Sequence, residues 1–198
     1  LKGAGWRVVS SDLMTYSYVF QRAYVVAQRA PGFSALRAGD AELRRALRSP
    51  AFRAKLAGKG EGPLAAVGEY LSRWIEPESG FMGAHFAPAG GRMYFTQENA
   101  DRIDAIRRRL HEWKANAWID DDAYYVLLAS LIEAADRVAN TTGVYAAYMK
   151  GWQPNARRAL ELRPDPPQPG ARGSSAHCAD ATIVAQKAGR IELVYIDP

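Results

Sequence analysis

A nearly continuous apolar run close to the end of the chain constrains the fold more than any other feature. Residues Ile191 to Ile196 contain a single charged side chain, Glu192, and do not alternate between polar and apolar. Such a run is typical of a parallel strand that helices cover on both faces. A second β-rich run, Trp6 to Asp12, lies near the start of the chain. Strands at both ends, each next to a helical stretch, predict an α/β fold with a doubly wound sheet.

The long stretch between these strands is predicted to be mainly helical. Thr96 can cap a helix whose apolar residues recur three or four positions apart, and Asp120 begins a second helix of the same kind. Their short connection predicts an antiparallel helical hairpin. By contrast, four glycines and a proline between Gly80 and Gly91 predict a loop.

These patterns divide the chain into three parts. Residues 1–30 supply a strand and a helix to the α/β core, residues 31–175 form the helical insertion, and residues 176–198 return to the core. The sequence begins with Leu1 rather than Met and ends directly after the apolar run. We therefore expect both ends to have been cut from a longer chain.

Composition narrows the classes of protein that fit. The net charge of +5 suits a polyanionic partner such as nucleic acid, although mild basicity is common. The single cysteine, Cys178, excludes an internal disulfide framework and predicts a cytoplasmic location. No apolar run approaches the roughly 20 residues that span a bilayer, so no membrane contact is expected. No metal is expected either, because a site needs about three converging ligands and His85 and His111 lie in unrelated contexts.

Polar residues follow the expected strands at the edge where open α/β folds bind ligands. Asp12 stands where the first strand meets a helix, and an acid at that position often holds a ribose through its two hydroxyls. The alternative is a helix N-cap, which Asp favours for its own sake. A further short run, Ala176 to Asp180, is also predicted to be a strand that ends in an acid, and His177, Cys178 and Asp180 pose the same question there.

Asp197 and Pro198 follow the apolar run, at the carboxyl end of the expected strand. The proline leaves a backbone carbonyl that is free of the strand ladder and fixed in direction. A carboxylate and a carbonyl side by side could accept both hydrogens of an exocyclic amine. The alternative is a strand that simply stops at a proline.

The segment after the helical hairpin interleaves aromatic side chains with cations. Cations can contact phosphates, and aromatic rings can stack on bases. The alternative is an amphipathic helix whose tyrosines pack on the core. The run Arg107 to Arg109 is expected to be a solvated helix face rather than a phosphate contact. The interleaved residues are Tyr145, Tyr148, Lys150, Trp152, Arg157 and Arg158.

Four stretches match one protein family in order: Val8–Asp12 with Tyr16–Val19, Tyr94–Asp104, Ala139–Lys150, and Cys178–Asp180 with Val194–Pro198. Together they resemble the adenine-specific DNA methyltransferases that carry an Asp-Pro-Pro-Tyr motif and place target recognition before it. Two features of the family do not appear. No glycine-rich first motif precedes the first strand, and neither the second proline nor the aromatic residue of the catalytic motif follows Pro198.

The resemblance implies a Rossmann-like sheet that binds S-adenosylmethionine, and a target adenine that is flipped out of double-stranded DNA. Asp12 would bind the cofactor ribose, with His177 and Cys178 beside the cofactor adenine. Asp197 and Pro198 would hold the target amine for direct methyl transfer, without a metal. Tyr145, Tyr148, Lys150, Arg157 and Arg158 would contact DNA.

The family also implies that the enzyme belongs to a restriction–modification system, with a cognate restriction endonuclease as candidate partner. Two other functions remain open at this point. One is a DNA-binding module without enzymatic activity, which would bind DNA in a salt-sensitive way whether or not a cofactor is present. The other is a methyltransferase that acts on RNA or on a small molecule.

Overall fold

The computed structural model describes residues 1–57, 62–143 and 147–196. Within these ranges the chain is mostly helical, with a small two-stranded parallel sheet. It divides into two compact units, Leu1–Arg29 with Pro167–Pro198, and Ala30–Pro166. None of the helices in these ranges combines the length and the apolar character that a membrane crossing requires.

The first unit is built on a parallel pair of strands, each of which leads into a helix. Strand β1 (Val9–Asp12) pairs in parallel with β2 (Ser175–Cys178), and each overlaps a run that the sequence predicts to be a strand. Helix α1 (Thr15–Gln21) follows β1 and continues as a π-helical turn at Arg22–Val26. A 3₁₀ turn, Lys2–Ala4, precedes β1. The remaining helix of this unit is α9, Ala181–Lys187, which follows β2.

The second unit is helical, and its longest helices form the expected hairpin. Thr96 caps α7 by accepting a hydrogen bond from Asn99 N–H at 3.2 Å, and Asp120 caps α8 through Ala123 N–H at 2.8 Å. Both caps confirm the sequence prediction. The helices are α2 (Ser34–Gly39), α3 (Ala41–Arg48), α4 (Pro50–Leu56), α5 (Pro63–Arg73), α6 (Phe81–Phe86), α7 (Gln97–Ala115) and α8 (Asp121–Arg137), with a 3₁₀ turn at Pro88–Gly90. The apolar stripes of the hairpin form the core, including the fully buried Ile106, Leu110, Trp113 and Leu127.

The prediction of a loop between Gly80 and Gly91 is wrong, because this stretch contains α6. Asp104, on α7, accepts hydrogen bonds from the backbone N–H groups of Gly80, Met82 and Gly83 at 2.9–3.1 Å. This carboxylate satisfies donors that the first turn of a helix leaves unpaired. Gly83 also packs where a β-carbon would collide with Asp101. Gly83 therefore serves close packing, whereas Gly91, at φ 69°, adopts the left-handed backbone that ends the 3₁₀ turn Pro88–Gly90.

The prediction of a buried strand at Ile191–Ile196 is also wrong for this structure. These residues pair with no strand in the described ranges, and the side chains of Tyr195 and Ile196 are 81% and 79% exposed. A strand buried on both faces requires hydrogen-bonding neighbours and covering helices. An apolar pattern indicates that such a strand can form, but it does not supply those neighbours.

A buried carboxylate fixes α3 against α7. Asp40, which is 4% exposed, caps α3 through Leu43 N–H at 2.8 Å and accepts from the indole N–H of Trp113 at 2.8 Å. Arg109 pairs with the same carboxylate at 3.2 Å and also contacts the hydroxyl of Tyr70. Burial raises the pKa of Tyr70 to about 12, so this phenol stays neutral. Arg109 is thus a structural anchor, and the prediction of a solvated face is wrong for it.

Replacing Asp40 with alanine is expected to destabilise the second unit strongly. The change leaves the Trp113 indole and the Leu43 N–H without their acceptor and removes the buried partner of Arg109. Breaking a buried ion pair on one side costs about 3–5 kcal/mol. Urea unfolding of the full-length protein measures the loss. Glu42→Ala is the matched control, because Glu42 pairs with the same arginine at 2.9 Å but is exposed, and exposed pairs contribute about 0–1 kcal/mol. Equal losses of stability in the two variants would contradict the anchoring role of Asp40.

Candidate functional site

The carboxyl edge of the parallel sheet brings together three residues that the sequence singled out. In the register of the two strands, Asp12 is the partner of Cys178, and Ser11 is the partner of His177. Successive side chains of a strand point to opposite faces. Cys178 therefore shares a face with Asp12, whereas His177 lies on the other face, where its Nε2 is 3.0 Å from Ser175 Oγ.

The carboxylate of Asp12 is held by local bonds and remains accessible to solvent. Its Oδ1 accepts a hydrogen bond from Met14 N–H at 2.8 Å. Bonds from Met14 N–H and from the hydroxyl of Ser17 hold the pKa of Asp12 below its ordinary value. The N-cap of α1 is Met14, so the interpretation of Asp12 as the capping residue is wrong in its strict form. An ionised carboxylate offers about four acceptor positions, so it can still accept from ligand hydroxyls.

An apolar pair directly after Asp12 escaped the sequence analysis. Leu13 and Met14 are 69% and 54% exposed at the edge where β1 ends. Large apolar side chains exposed together beside a carboxylate can cover the flat face of a nucleoside base. The signal in the sequence was the position of this pair between a strand-terminal acid and a helix, where polar residues are common.

The remaining acid at this edge has a structural role. Asp180 caps α9 by accepting from Thr182 N–H at 2.7 Å. The hydroxyl and the N–H of Thr182 lower the pKa of this carboxyl group. Across the part of the chain that the structure describes, no three His, Cys, Asp or Glu side chains are placed to share a metal ion.

In the second unit, one buried amide fastens the base of the segment that is predicted to reach DNA. The side-chain Nδ2 of Asn140, a fully buried residue, donates to the carbonyls of Met93 at 2.9 Å and Met149 at 3.0 Å. Its Oδ1 accepts from Gln153 N–H at 3.0 Å. Just beyond, Thr141 and Tyr148 form an antiparallel bridge. The bridge and the amide together hold Thr141 and Tyr148, the two ends of what we call the 141–148 segment, side by side.

The residues predicted to contact DNA differ in how free they are to do so. Lys150, Arg157 and Arg158 are exposed, whereas Tyr148 is half-buried and packs edge-on against Tyr94, with ring centroids 4.9 Å apart. Residues 149–163 contain turns and no helix, so the alternative of an amphipathic helix is wrong, although Tyr148 does pack inward. Tyr145 lies outside the described residues.

The predicted catalytic residues, Asp197 and Pro198, also lie outside the described residues. Their roles stay predictions that rest on the family motif. The structure therefore describes the sheet edge that bears Asp12 and Cys178, and the contacts that Asn140 makes at the ends of the 141–148 segment.

Comparison with known proteins places the chain in a family. It belongs to the D12 class of N6 adenine-specific DNA methyltransferases, whose family model matches residues 1–198. The chain is 32% identical over 196 residues to the Type II methyltransferase M.NlaIII of Neisseria lactamica, covering 97% of this chain and 48% of that protein. It is 31% identical over 196 residues to the Type II methyltransferase M.FokI of Planomicrobium okeanokoites, covering 98% of this chain and 27% of that protein.

A third relative is the Modification methylase StsI of Streptococcus sanguinis, 29% identical over 97% of this chain and 26% of that protein. The chain therefore spans less than half the length of these three relatives. No solved structure matches the chain significantly.

Proposed function

We propose that the full-length protein transfers a methyl group from S-adenosylmethionine to the exocyclic amine of adenine in double-stranded DNA. The observation that carries the proposal is the register of β1 and β2, which sets Asp12 beside Cys178 at one sheet edge in a chain of this family. Relatives named as type II methyltransferases support a role in a restriction–modification system. A cognate endonuclease is then the candidate partner, and the cytoplasm is the expected location.

In this proposal β1 and β2 are two strands of a Rossmann-like sheet. Residues 1–30 and 176–198 supply that core, and residues 31–175 form the helical insertion that recognises the target. The parallel pairing of the strands and the helix that follows each of them support this view. Ligands bind such sheets at the carboxyl ends of the strands, which is where Asp12 and Cys178 lie.

The residues at this edge fit S-adenosylmethionine. An ionised, accessible carboxylate at Asp12 suits the two ribose hydroxyls, and the exposed Leu13 and Met14 can cover the face of the adenine. Cys178 lies on the face of Asp12 and would flank the base, with His177 behind it on the other face. When bound, the cofactor supplies an electrophilic methyl group.

The chain's own part in the reaction is to hold the target amine. Asp197 and the carbonyl of Pro198 would each accept one hydrogen of that amine, which directs its lone pair toward the methyl group. Positioning of this kind lowers the barrier without a covalent enzyme intermediate. The target base must leave the helical stack first, because its amine cannot be reached inside the duplex.

Substitution of Asp12 tests the cofactor site. Asp12→Ala is expected to weaken S-adenosylmethionine binding about tenfold to a hundredfold, the effect of losing a charge-assisted hydrogen bond. Asp12→Asn keeps an oxygen that can accept from Met14 N–H. It should therefore preserve thermal stability while still weakening cofactor binding. Calorimetry on the full-length protein measures both, with the exposed Asp165→Ala as control. Parental affinity in both Asp12 variants would remove this residue from the site.

The rival functions differ in the polymer that receives the methyl group and in whether DNA binding responds to the cofactor. We expect tritium from labelled S-adenosylmethionine to enter duplex DNA and not RNA of the same sequence. Salt-sensitive DNA binding without any transfer, and without a cofactor effect, would favour a DNA-binding module. Transfer to RNA would place the protein among RNA methyltransferases.

A further inference from the structure

The excess positive charge of the chain is concentrated in α2, α3 and α4. Residues 31–57 contain six Arg and Lys and two acids, a net charge of +4, while the whole chain carries +5. The family motifs that the sequence analysis matched lie outside these helices. Neither the sheet edge at Asp12 nor the 141–148 segment therefore explains this concentration of charge.

Both acids of this segment pair with an arginine of α7. Asp40 is buried against Trp113 and Arg109, and Glu42 pairs with Arg109 at 2.9 Å. Arg109 belongs to α7, so the acids neutralise a cation from outside the segment. The two acids therefore do not pair with the cations of α2–α4.

The geometry of α3 separates its arginines from its packed side. Leu43 and Ala46 are buried, while Arg45 and Arg48 are exposed. Residues are spaced about 100° apart around an α-helix, so the two arginines lie on the side opposite the buried pair. They are also three residues apart and hence neighbours on the helix surface.

Arg44 joins α3 to the end of α2 and leaves the neighbouring cations free. Its guanidinium donates to the carbonyls of Arg37 at 3.0 Å and Ala38 at 2.6 Å. This bond sets the exposed Arg37 next to α3. Among the residues that the structure describes, no carboxylate pairs with any member of the following group. The basic surface, as we define it, consists of Arg37, Arg45, Arg48, Arg53 and Lys55.

We infer that the basic surface binds the phosphate backbone of duplex DNA and fixes the protein on it without reading sequence. Four of its five members are arginines, whose planar guanidinium groups match phosphate oxygens in a bidentate way. Uncompensated cations on three helices, of which α3 contacts both α2 and α4, complement the uniform negative charge of a duplex. Backbone contacts of this kind orient a protein on DNA, while base contacts elsewhere carry the specificity. The inference rests on the proposed function, which makes duplex DNA the substrate.

The test compares two double variants of the full-length protein that remove the same charge. Arg45→Gln/Arg48→Gln neutralises the basic surface. Arg29→Gln/Arg107→Gln is the control, because both arginines are exposed and neither has a charged partner among the described residues. Arg107 also lies about 200° from Arg109 around the axis of α7, so it faces away from α3. Fluorescence anisotropy with cognate and unrelated duplexes, over a range of salt concentrations, measures binding.

We expect the Arg45/Arg48 variant to lose about 0.9 units of the salt-dependence slope for each contact, or about two units in total. The loss should be equal on cognate and unrelated DNA, with parental affinity for S-adenosylmethionine and the control unchanged. Behaviour equal to the control, in a parent that binds and methylates DNA, overturns the inference and leaves the proposed function intact. A parent that neither binds nor methylates DNA overturns both. Parental DNA binding by the Arg45/Arg48 variant, with loss of binding to phosphatidylserine vesicles, assigns the surface to a membrane instead.

Discussion

Asp197→Ala in the full-length protein is expected to abolish methyl transfer while leaving cofactor affinity at the parental level. The proposed partner of Asp197 is the target amine. The substitution should therefore slow the chemical step and weaken the binding of the flipped base. Removing one preorganised group that holds the reacting centre typically costs about 10²–10³ in rate. Single-turnover transfer of a tritiated methyl group to duplex DNA measures the rate of the chemical step, and calorimetry measures the affinity for the cofactor.

The exposed Glu192→Ala, five residues earlier, is the control for a general effect on this end of the chain. It should transfer at the parental rate. If Asp197→Ala retains activity within severalfold of the parent, Asp197 is not the residue that holds the amine. If it loses cofactor binding in parallel with activity, its role lies in cofactor binding or in folding.

Asn140→Leu is expected to lower both the stability of the protein and its affinity for DNA. The leucine is close in volume but leaves the carbonyls of Met93 and Met149 and the N–H of Gln153 without their partners. These bonds are half-buried, and each contributes about 0.5–1.5 kcal/mol, so about 2–4 kcal/mol is at stake. The 141–148 segment loses the bonds that fix its two ends, so DNA contacts of Tyr148 and Lys150 should weaken.

Asn155→Ala is the matched control for this amide. Asn155 donates to the carbonyl of Ala139 at 2.9 Å from a half-buried position, so water can replace its bonds. Urea unfolding should show a small change for this variant and a large one for Asn140→Leu. DNA binding should fall in the Asn140 variant even at temperatures where the protein stays folded. If both variants lose the same stability and the same DNA affinity, the amide of Asn140 does not position the 141–148 segment.

Features that depend on neighbours in sequence were predictable. The caps of α7 and α8 bind N–H groups three residues away, at Asn99 and Ala123, so the residue types alone reveal them. The apolar stripe of α7 follows from helical periodicity in the same way. Both kinds of signal are local, and the structure confirms both.

Features that depend on distant partners were missed. Helix α6 is held by Asp104, whose carboxylate lies more than 20 residues beyond the N–H groups it binds. Arg109 looked like part of a solvated run because its partners, Asp40 and Glu42, are 69 and 67 residues away. No local pattern carries information about such pairs.

The candidate site was predictable in the same partial way. Strand ends placed Asp12 and Cys178 at an edge, but only the pairing register shows that they are partners and that His177 lies on the other face. The exposure of Leu13 and Met14 depends on how β1 leads into α1, which residue types do not specify. The run Ile191–Ile196 shows the converse, since its composition favours a strand whose neighbours the sequence does not name.

Identification of the methylated nucleoside tests the central claim most directly. The full-length protein is incubated with duplex DNA and isotope-labelled S-adenosylmethionine, and the DNA is digested to nucleosides and analysed by mass spectrometry. We expect label in N6-methyl-2′-deoxyadenosine alone, and its loss when Asp197→Ala replaces the parent. Label in a methylated cytosine, or no label in DNA from a protein that binds the cofactor, would contradict it.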